Sequence, residues 1–307
     1  MSIDTSTAPK KAIAKVTSAK VKKEPAVACA TPFCKWCGGK TQILSELEKR
    51  LPERFVGYHE PFVGGGALFW RLAELKRLRR GQVALADMLG ALARTWRAIR
   101  DDVDGVVTRL ARYPITKDHY LKTRALDPAA IKDDAEVAAW FIFLNKTGYN
   151  GMYRVNQQGG FNIPWGRWEE QKRSPTVLDE VNLRACSAVL GALRVAVNQR
   201  PFEDVRNYVR PGDLVYLDPP YLPRSETADF VSYTKDGFDF EDHKRLRDVA
   251  RELKERGAHI LLSNSDTPLV RDLYESWSGF EIGAIQARRA INSDGEKRGP
   301  VGEIIVT

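Results

Sequence analysis

Asp218-Pro219-Pro220-Tyr221 follows directly on the apolar run Leu214–Leu217. A short apolar run reads as a buried strand, and the carboxyl ends of strands are where open α/β sheets place their chemistry. An ionised aspartate only accepts hydrogen bonds. Two consecutive prolines fix the chain and remove two N–H donors, so the local backbone offers carbonyl acceptors without competing donors. A carboxylate and a carbonyl so placed can accept both hydrogens of an exocyclic amino group such as adenine N6. That nitrogen's lone pair is delocalised into its ring. Hydrogen bonds that favour a tetrahedral nitrogen localise it for attack on a methyl sulfonium. Tyr221 can stack on a base turned out of its helix, and alignment of the two reactants supplies much of the rest. This chemistry asks for no metal. Cys34 and Cys37 form a CxxC, but no second pair or paired histidines follow to complete a zinc site. With Cys29 and Cys186 they read as incidental thiols of a reducing cytoplasm.

A second group lies upstream. Glu60-Pro61-Phe62-Val63-Gly64-Gly65-Gly66 follows a predicted strand, Val56–Glu60, and precedes a predicted helix from Ala67 to Arg80. Glycines let a backbone approach a ligand and take up positive φ. The next predicted strand, Val83–Ala86, ends at Asp87, a carboxylate twenty-one residues beyond Gly66 and suited to a ribose diol. Neither GxGxxG nor GxxxxGKS/T occurs, so a pyrophosphate cradle is less supported.

These residues need a scaffold, and the periodicity supplies one. A further helix runs to about Arg100. Residues 241–256 form an amphipathic helix with Leu246, Val249, Ala250 and Leu253 on one face and Gly257 placed to end it. Ile260–Leu262 and Ile304–Val306 read as strands. The pattern implies an α/β core in two parts, residues 31–105 and 200–307, with residues 106–199 inserted between them. The insertion holds helical patches and then a long polar, aromatic, glycine-rich loop, Asn145–Trp168, of a length that is usually functional. Residues 1–30 cannot bury a core and read as a disordered basic tail. Their six lysines against Asp4 and Glu24 supply half of the net charge of +8. The whole chain has 48 Lys and Arg against 40 Asp and Glu, a balance that favours polyanions. No apolar run of about 18 residues predicts a membrane span, and the N-terminus lacks the apolar region of a signal peptide.

The motifs have a collective likeness. Phe33-Cys34-Lys35-Trp36-Cys37-Gly38-Gly39-Lys40, the Glu60–Gly66 loop and Asp218–Tyr221 resemble, in this order, the Dam family of DNA adenine-N6 methyltransferases, from about Phe33 to Thr307. The resemblance implies a Rossmann-like S-adenosylmethionine-dependent methyltransferase core with an inserted, mainly helical target-recognition domain, of the α class. It implies cofactor contacts from Trp36, Lys40, Glu60, Phe62, Gly64, Gly66, Asp87 and Asp218, and a catalytic group of Asp218, Pro219, Pro220 and Tyr221. Asn145–Arg154 and Gly159–Arg167 resemble the segments with which relatives contact GATC and fill the gap left by a flipped adenine. Carried over, Lys35 and Arg154 read guanine, Tyr149 and Asn150 support the opened duplex, Pro164 touches the thymine methyl, and Met152 and Arg167 join the DNA face. Lys146 stands where the pattern has arginine, Met152 where it has leucine, and Leu89 where it has asparagine. The implied partner is double-stranded DNA, with no metal and no membrane; a monomer is favoured. The implied reaction is methyl transfer to adenine N6, in GATC. Cytosine-N4 or RNA methylation, or an inactive DNA-binding regulator, are the alternatives; Asp218 at the head of its motif, the matching insertion and the intact glycine loop weigh against them.

Overall fold

The computed structural model describes residues 30–156, 159–222, 238–288 and 300–307. The basic stretch read as a tail, Ala30 apart, and with it Cys29, lies outside the described residues. Along the chain come α1 (Leu44–Glu48), β1 (Tyr58–Glu60), α2 (Ala67–Glu74), β2 (Val83–Asp87), α3 (Gly90–Asp101), α4 (Val103–Arg112), α5 (Lys117–Arg124), α6 (Asp134–Thr147), α7 (Glu180–Leu193) and β3 (Ala196–Gln199). They are followed by β4 (Leu214–Leu217), α8 (Phe240–Glu255), β5 (His259–Ser265), α9 (Pro268–Glu275), β6 (Ile282–Arg288) and β7 (Pro300–Val306).

The strands form one sheet in the order β3-β2-β1-β4-β5-β7-β6, parallel as far as β5, with β7 antiparallel to both neighbours. β4 is buried along its whole length, which explains its unbroken apolar sequence. Its side chains alternate between two cores. Leu214 and Tyr216 join Tyr58, Leu85 and Leu261 on one face, while Val215 and Leu217 join Ile260, Leu262 and the α8 side chains on the other. The predicted stripe of α8 is fully buried, and each of its leucines and its valine is worth about 1.5–3 kcal/mol. A reciprocal Asp239–Asp242 capping box starts that helix. α6 is apolar almost all round and buried at Ala135 and from Val137 to Asn145, as befits a helix with packing partners on several sides, here α3, α4 and α5. The expected fold class, a Rossmann-like α/β core with a mainly helical segment after α3, is therefore present. Strand order reverses between β1 and β4, the switch point at which such sheets leave a crevice beyond their strand ends.

Three expectations need correction. The helix predicted over Ala67–Arg80 ends at Glu74. Lys76 takes a left-handed φ of 55°, and the N–H groups of Lys76 and Arg77 return to the carbonyls of Ala73 and Leu72, a helix-ending pair in which lysine replaces the usual glycine. Asn145–Trp168 is not structureless. Its first residues close α6, Tyr149–Gly151 form a 3-10 turn, and the remainder doubles back through bridges pairing Gly148 with Trp165 and Val155 with Phe161. The span 106–199 also contains β3, which pairs with β2, so an edge of the sheet lies inside the segment read as an insertion.

Candidate active site at the switch point

β1 delivers Glu60 into the glycine loop, and the loop is tied to β2 because Val63 N–H donates to the Ala86 carbonyl at 2.9 Å. Gly64 and Gly66 have φ of 47° and 67°. A Cβ at Gly64 would lie 2.4 Å from Trp36 Nε1, and one at Gly66 would lie 2.7 Å from Trp96 Cη2, so indoles occupy the space a side chain would need. Trp96 Nε1 donates to the Gly64 carbonyl and Trp70 Nε1 to that of Gly65, each at 3.1 Å, and the two rings stack at 5.3 Å. Asp87, at the end of β2, accepts from Gly64 N at 3.1 Å and Leu89 N at 2.9 Å. Desolvation pushes its carboxyl up to about 6 against those two N–H donors. Phe62 packs on Phe202 and Phe238, with ring centroids 5.4 and 5.5 Å away.

β4 delivers Asp218 beside this loop. Lys40 Nζ lies 2.8 Å from Asp218 Oδ1, donates to the Gly38 carbonyl at 2.6 Å, and sits 4.5 Å from the centre of the Tyr221 ring. Ser263 Oγ donates to the same Oδ1 at 2.9 Å. Tyr221 is held by its hydroxyl, which donates to Glu303 Oε2 at 3.0 Å. Glu60 is buried and accepts from the Tyr58 hydroxyl at 2.7 Å. Burial pushes its carboxyl up to about 8, the Tyr58 hydrogen bond opposes this, and the charges of Asp218 and Asp87 reinforce it. Three carboxyl groups thus share the crevice, with Lys40 against the one at the end of β4.

The segment Phe33–Lys40 joins this crevice to the loop after α6. Asn145, at 2% exposure, accepts from Lys35 N at 2.8 Å and donates to the carbonyls of Lys35 at 2.8 Å and Gly151 at 2.9 Å. Lys35 is exposed, and its stem passes over Gly151. Trp36 stacks with Phe141 and Tyr153 at 6.4 and 6.5 Å. Asn150 is exposed at a φ of 56°, and Met152 is half-buried against the core. Tyr149 N–H donates to the Pro164 carbonyl at 2.9 Å, with Arg167 5.5 Å from the Tyr149 ring centre. Exposed Arg154 is oriented by Asn162, to which its Nε donates at 2.8 Å. Pro164 and Arg167 are exposed as well.

Comparison with known proteins decides the family. A profile for D12 class N6 adenine-specific DNA methyltransferases matches residues 36–291. The chain belongs to this family. It is 36% identical to a type II methyltransferase of Lactococcus lactis subsp. cremoris, over 90% of this chain and 94% of that one. It is 39% identical to a type II methyltransferase of Methanocaldococcus jannaschii, over 87% and 94%, and 31% identical to a DNA adenine methylase of Vibrio cholerae, over 89% and 94%. The likeness to the Dam family read from the motifs is thereby borne out, and the chain is an adenine-specific DNA methyltransferase.

In this methyltransferase the structure brings together the predicted Trp36, Lys40, Glu60, Gly64, Gly66, Asp87, Asp218 and Tyr221 around one crevice. Sequence reading missed Trp70 and Trp96, which hold the glycine loop by its carbonyls, and Ser263, which holds Asp218. Asn145 was visible only as the first residue of a motif. Cys34 is buried, with its thiol pushed up to about 12 by burial, while Cys37 is exposed; both are free, as is buried Cys186. Among the described residues there is no cluster of His, Cys, Asp and Glu able to hold a metal ion, and no helix long and apolar enough to cross a membrane.

Proposed function

We propose that this methyltransferase acts on adenine N6 in double-stranded DNA, with S-adenosylmethionine as methyl donor and GATC as its site. The observation that carries the reading is Asp218, a carboxylate at the end of a buried strand, fixed beside a glycine loop at the switch point. The cradle fits the proposed donor. Asp87, at the end of β2 beside the glycine loop, keeps a free lone pair on each oxygen for a ribose hydroxyl. Trp36, Lys40, Glu60, Phe62, Gly64, Gly66 and Asp87 would hold it. When bound, S-adenosylmethionine supplies an electrophilic methyl group on a sulfonium. Asp218 and a carbonyl of the Pro219-Pro220 pair accept the hydrogens of the target amine, localise its lone pair, and Asp218 takes the proton the nitrogen must lose. Tyr221 presents its ring to the base.

The part of residues 106–199 that precedes β3 is assigned, with Lys35, to target recognition. Support comes from exposed Lys35, Asn150, Arg154, Pro164 and Arg167, together with half-buried Tyr149 and Met152, on the N-terminal motif and the doubled-back loop that Asn145 clamps together. Arginine or lysine on guanine O6 and N7 is the commonest specific base contact, and an apolar group suits the thymine methyl. Relatives named DNA adenine methylase and relatives named type II methyltransferase both match over most of the chain, so the site is tested directly. Single-molecule sequencing of unmethylated plasmid DNA treated with the enzyme should show N6-methyladenine in GATC. Methylation of another motif would overturn the site while sparing the chemistry, and N4-methylcytosine in a nucleoside digest would overturn both.

A further inference from the structure

We propose that Ser263, backed by Tyr216, is a positioning residue that pins Oδ1 of Asp218 and leaves Oδ2 as the oxygen that accepts the amino hydrogen. The inference rests on the reading of Asp218 as the acceptor and deepens it. Ser263 lies on β5 and Tyr216 on the neighbouring β4, at 0% and 1% exposure, among strand residues that are otherwise mostly Leu, Ile and Val. Polar side chains in such a place persist where they are paired. The pairing here has a direction. A serine hydroxyl has one proton, and an ionised carboxylate can only accept, so the 2.9 Å contact uses the Ser263 proton. The 3.1 Å contact between Ser263 Oγ and the Tyr216 hydroxyl must then run from Tyr216 to Ser263. Tyr216, Ser263 and Asp218 thus form a chain of hydrogen bonds directed onto the carboxylate.

The chain ends on the carboxylate oxygen that Lys40 also approaches, at 2.8 Å. Among the described residues no hydrogen bond is made to Oδ2. The terminal torsion of an aspartate is broad and roughly two-fold, so an unanchored carboxylate samples many orientations. Reaction needs the acceptor held within about 10–20°. The Ser263 hydrogen bond and the Lys40 ion pair on one oxygen supply that restraint and spend no lone pair of the other. Lys40 alone is a point charge on a long stem, able to follow the carboxylate as it turns. Ser263 is fixed to a central strand and cannot follow.

The test is single-turnover methyl transfer from tritiated S-adenosylmethionine to unmethylated plasmid DNA, at saturating concentrations of both and with the full-length enzyme. Ser263→Ala should slow transfer by roughly 10- to 100-fold, the range of a hydrogen bond to a charged group. Cofactor and DNA affinities should stay within about threefold, since a restraint on the reacting carboxylate acts on the chemical step. Ser263→Thr, which keeps the hydroxyl, should recover most of the rate. Tyr216→Phe, which deletes only the remote hydroxyl, should slow transfer in the same direction by about threefold or more, and it decides the matter if Ser263→Ala does not fold. A wild-type rate in Ser263→Ala, a Thr variant as slow as the Ala variant, or losses confined to binding would each overturn the proposal. Asp218→Ala runs in parallel. Retention of more than about a tenth of the rate there would remove the acceptor reading itself; loss there with full activity in Ser263→Ala would overturn the positioning role alone.

Discussion

Glu60 shows how strongly the crevice acts on a single group. It lies at the end of β1, 2% exposed, with the Tyr58 hydroxyl on Oε2. Burial raises its carboxyl from an ordinary 4.5 to about 8, with Asp218 and Asp87 adding repulsion. At neutral pH it is largely protonated in the folded chain and ionised in the unfolded one. The folded state therefore binds the extra proton between those two values, so this contribution to stability is complete below about 4.5 and is lost as pH rises through about 8. Asp87, raised to about 6, acts in the same direction over a lower and narrower window. Glu60→Gln keeps an oxygen for Tyr58 and cannot ionise. We expect the cofactor-free enzyme to lose thermal stability between about pH 5 and pH 8, and the Gln variant to lose less. The difference in midpoint, variant minus wild type, should grow by several degrees toward the alkaline end. Scanning calorimetry across that range checks it; parallel curves would mean that Glu60 ionises as freely as it does in water.

Among the elements, the junction of α6 with the Phe33–Lys40 segment bears most on function, and one side chain makes it. Asn145 exchanges three hydrogen bonds with backbone groups of Lys35 and Gly151. Asn145→Ala should cost about 2–4 kcal/mol in urea unfolding, at roughly 1 kcal/mol per bond with groups left unpaired, and should relax selectivity at the base pair assigned to Lys35. Unchanged stability would show that the rest of the segment, such as Trp36 between Phe141 and Tyr153, is what anchors it. This junction was hard to read from sequence because Asn145 and Lys35 are 110 positions apart. The same holds for Trp96 on Gly64 and for Ser263 on Asp218. What was legible is local: the apolar run of β4 buried on both faces, the helical stripe of α8, and the glycine loop between a strand and a helix. β3 escaped notice because it is an edge strand with Val197 its one buried residue, and β6 because it is an edge strand interrupted by Gly283. α2 was overrun because Leu75 and Leu78 continue a helical period past a terminus made by lysine rather than glycine.

At the scale of the whole molecule, charge and chemistry separate along the chain. The residues assigned to cofactor, base and methyl transfer all fall between Lys35 and Ser263, yet residues 1–30 hold six lysines against two acids, half of the net +8. The described fold shows where a cut can be made. Thr31 is pinned to α7: its N–H and hydroxyl donate to Asn182 Oδ1 at 2.9 and 3.1 Å, and its carbonyl accepts from Asn182 Nδ2 at 3.1 Å. Phe33 is buried edge-on against Trp96 at 4.8 Å. Removing residues 1–29 should therefore leave the methylated motif and the single-turnover rate unchanged, while DNA binding weakens and its salt dependence flattens. Each phosphate contact contributes about 0.9 to the slope of log affinity against log salt, so the six lysines set an upper limit of about 5 on the change. Filter binding at several salt concentrations measures that slope. An unchanged slope would take the lysines off the phosphates, and an altered motif would give the stretch a part in sequence choice. A cut after Phe33 should behave differently in kind. It removes the Thr31 bonds and a buried ring beside the indole that holds Gly64, so it should lower the thermal midpoint and weaken cofactor binding together, which loss of phosphate contacts alone would not do.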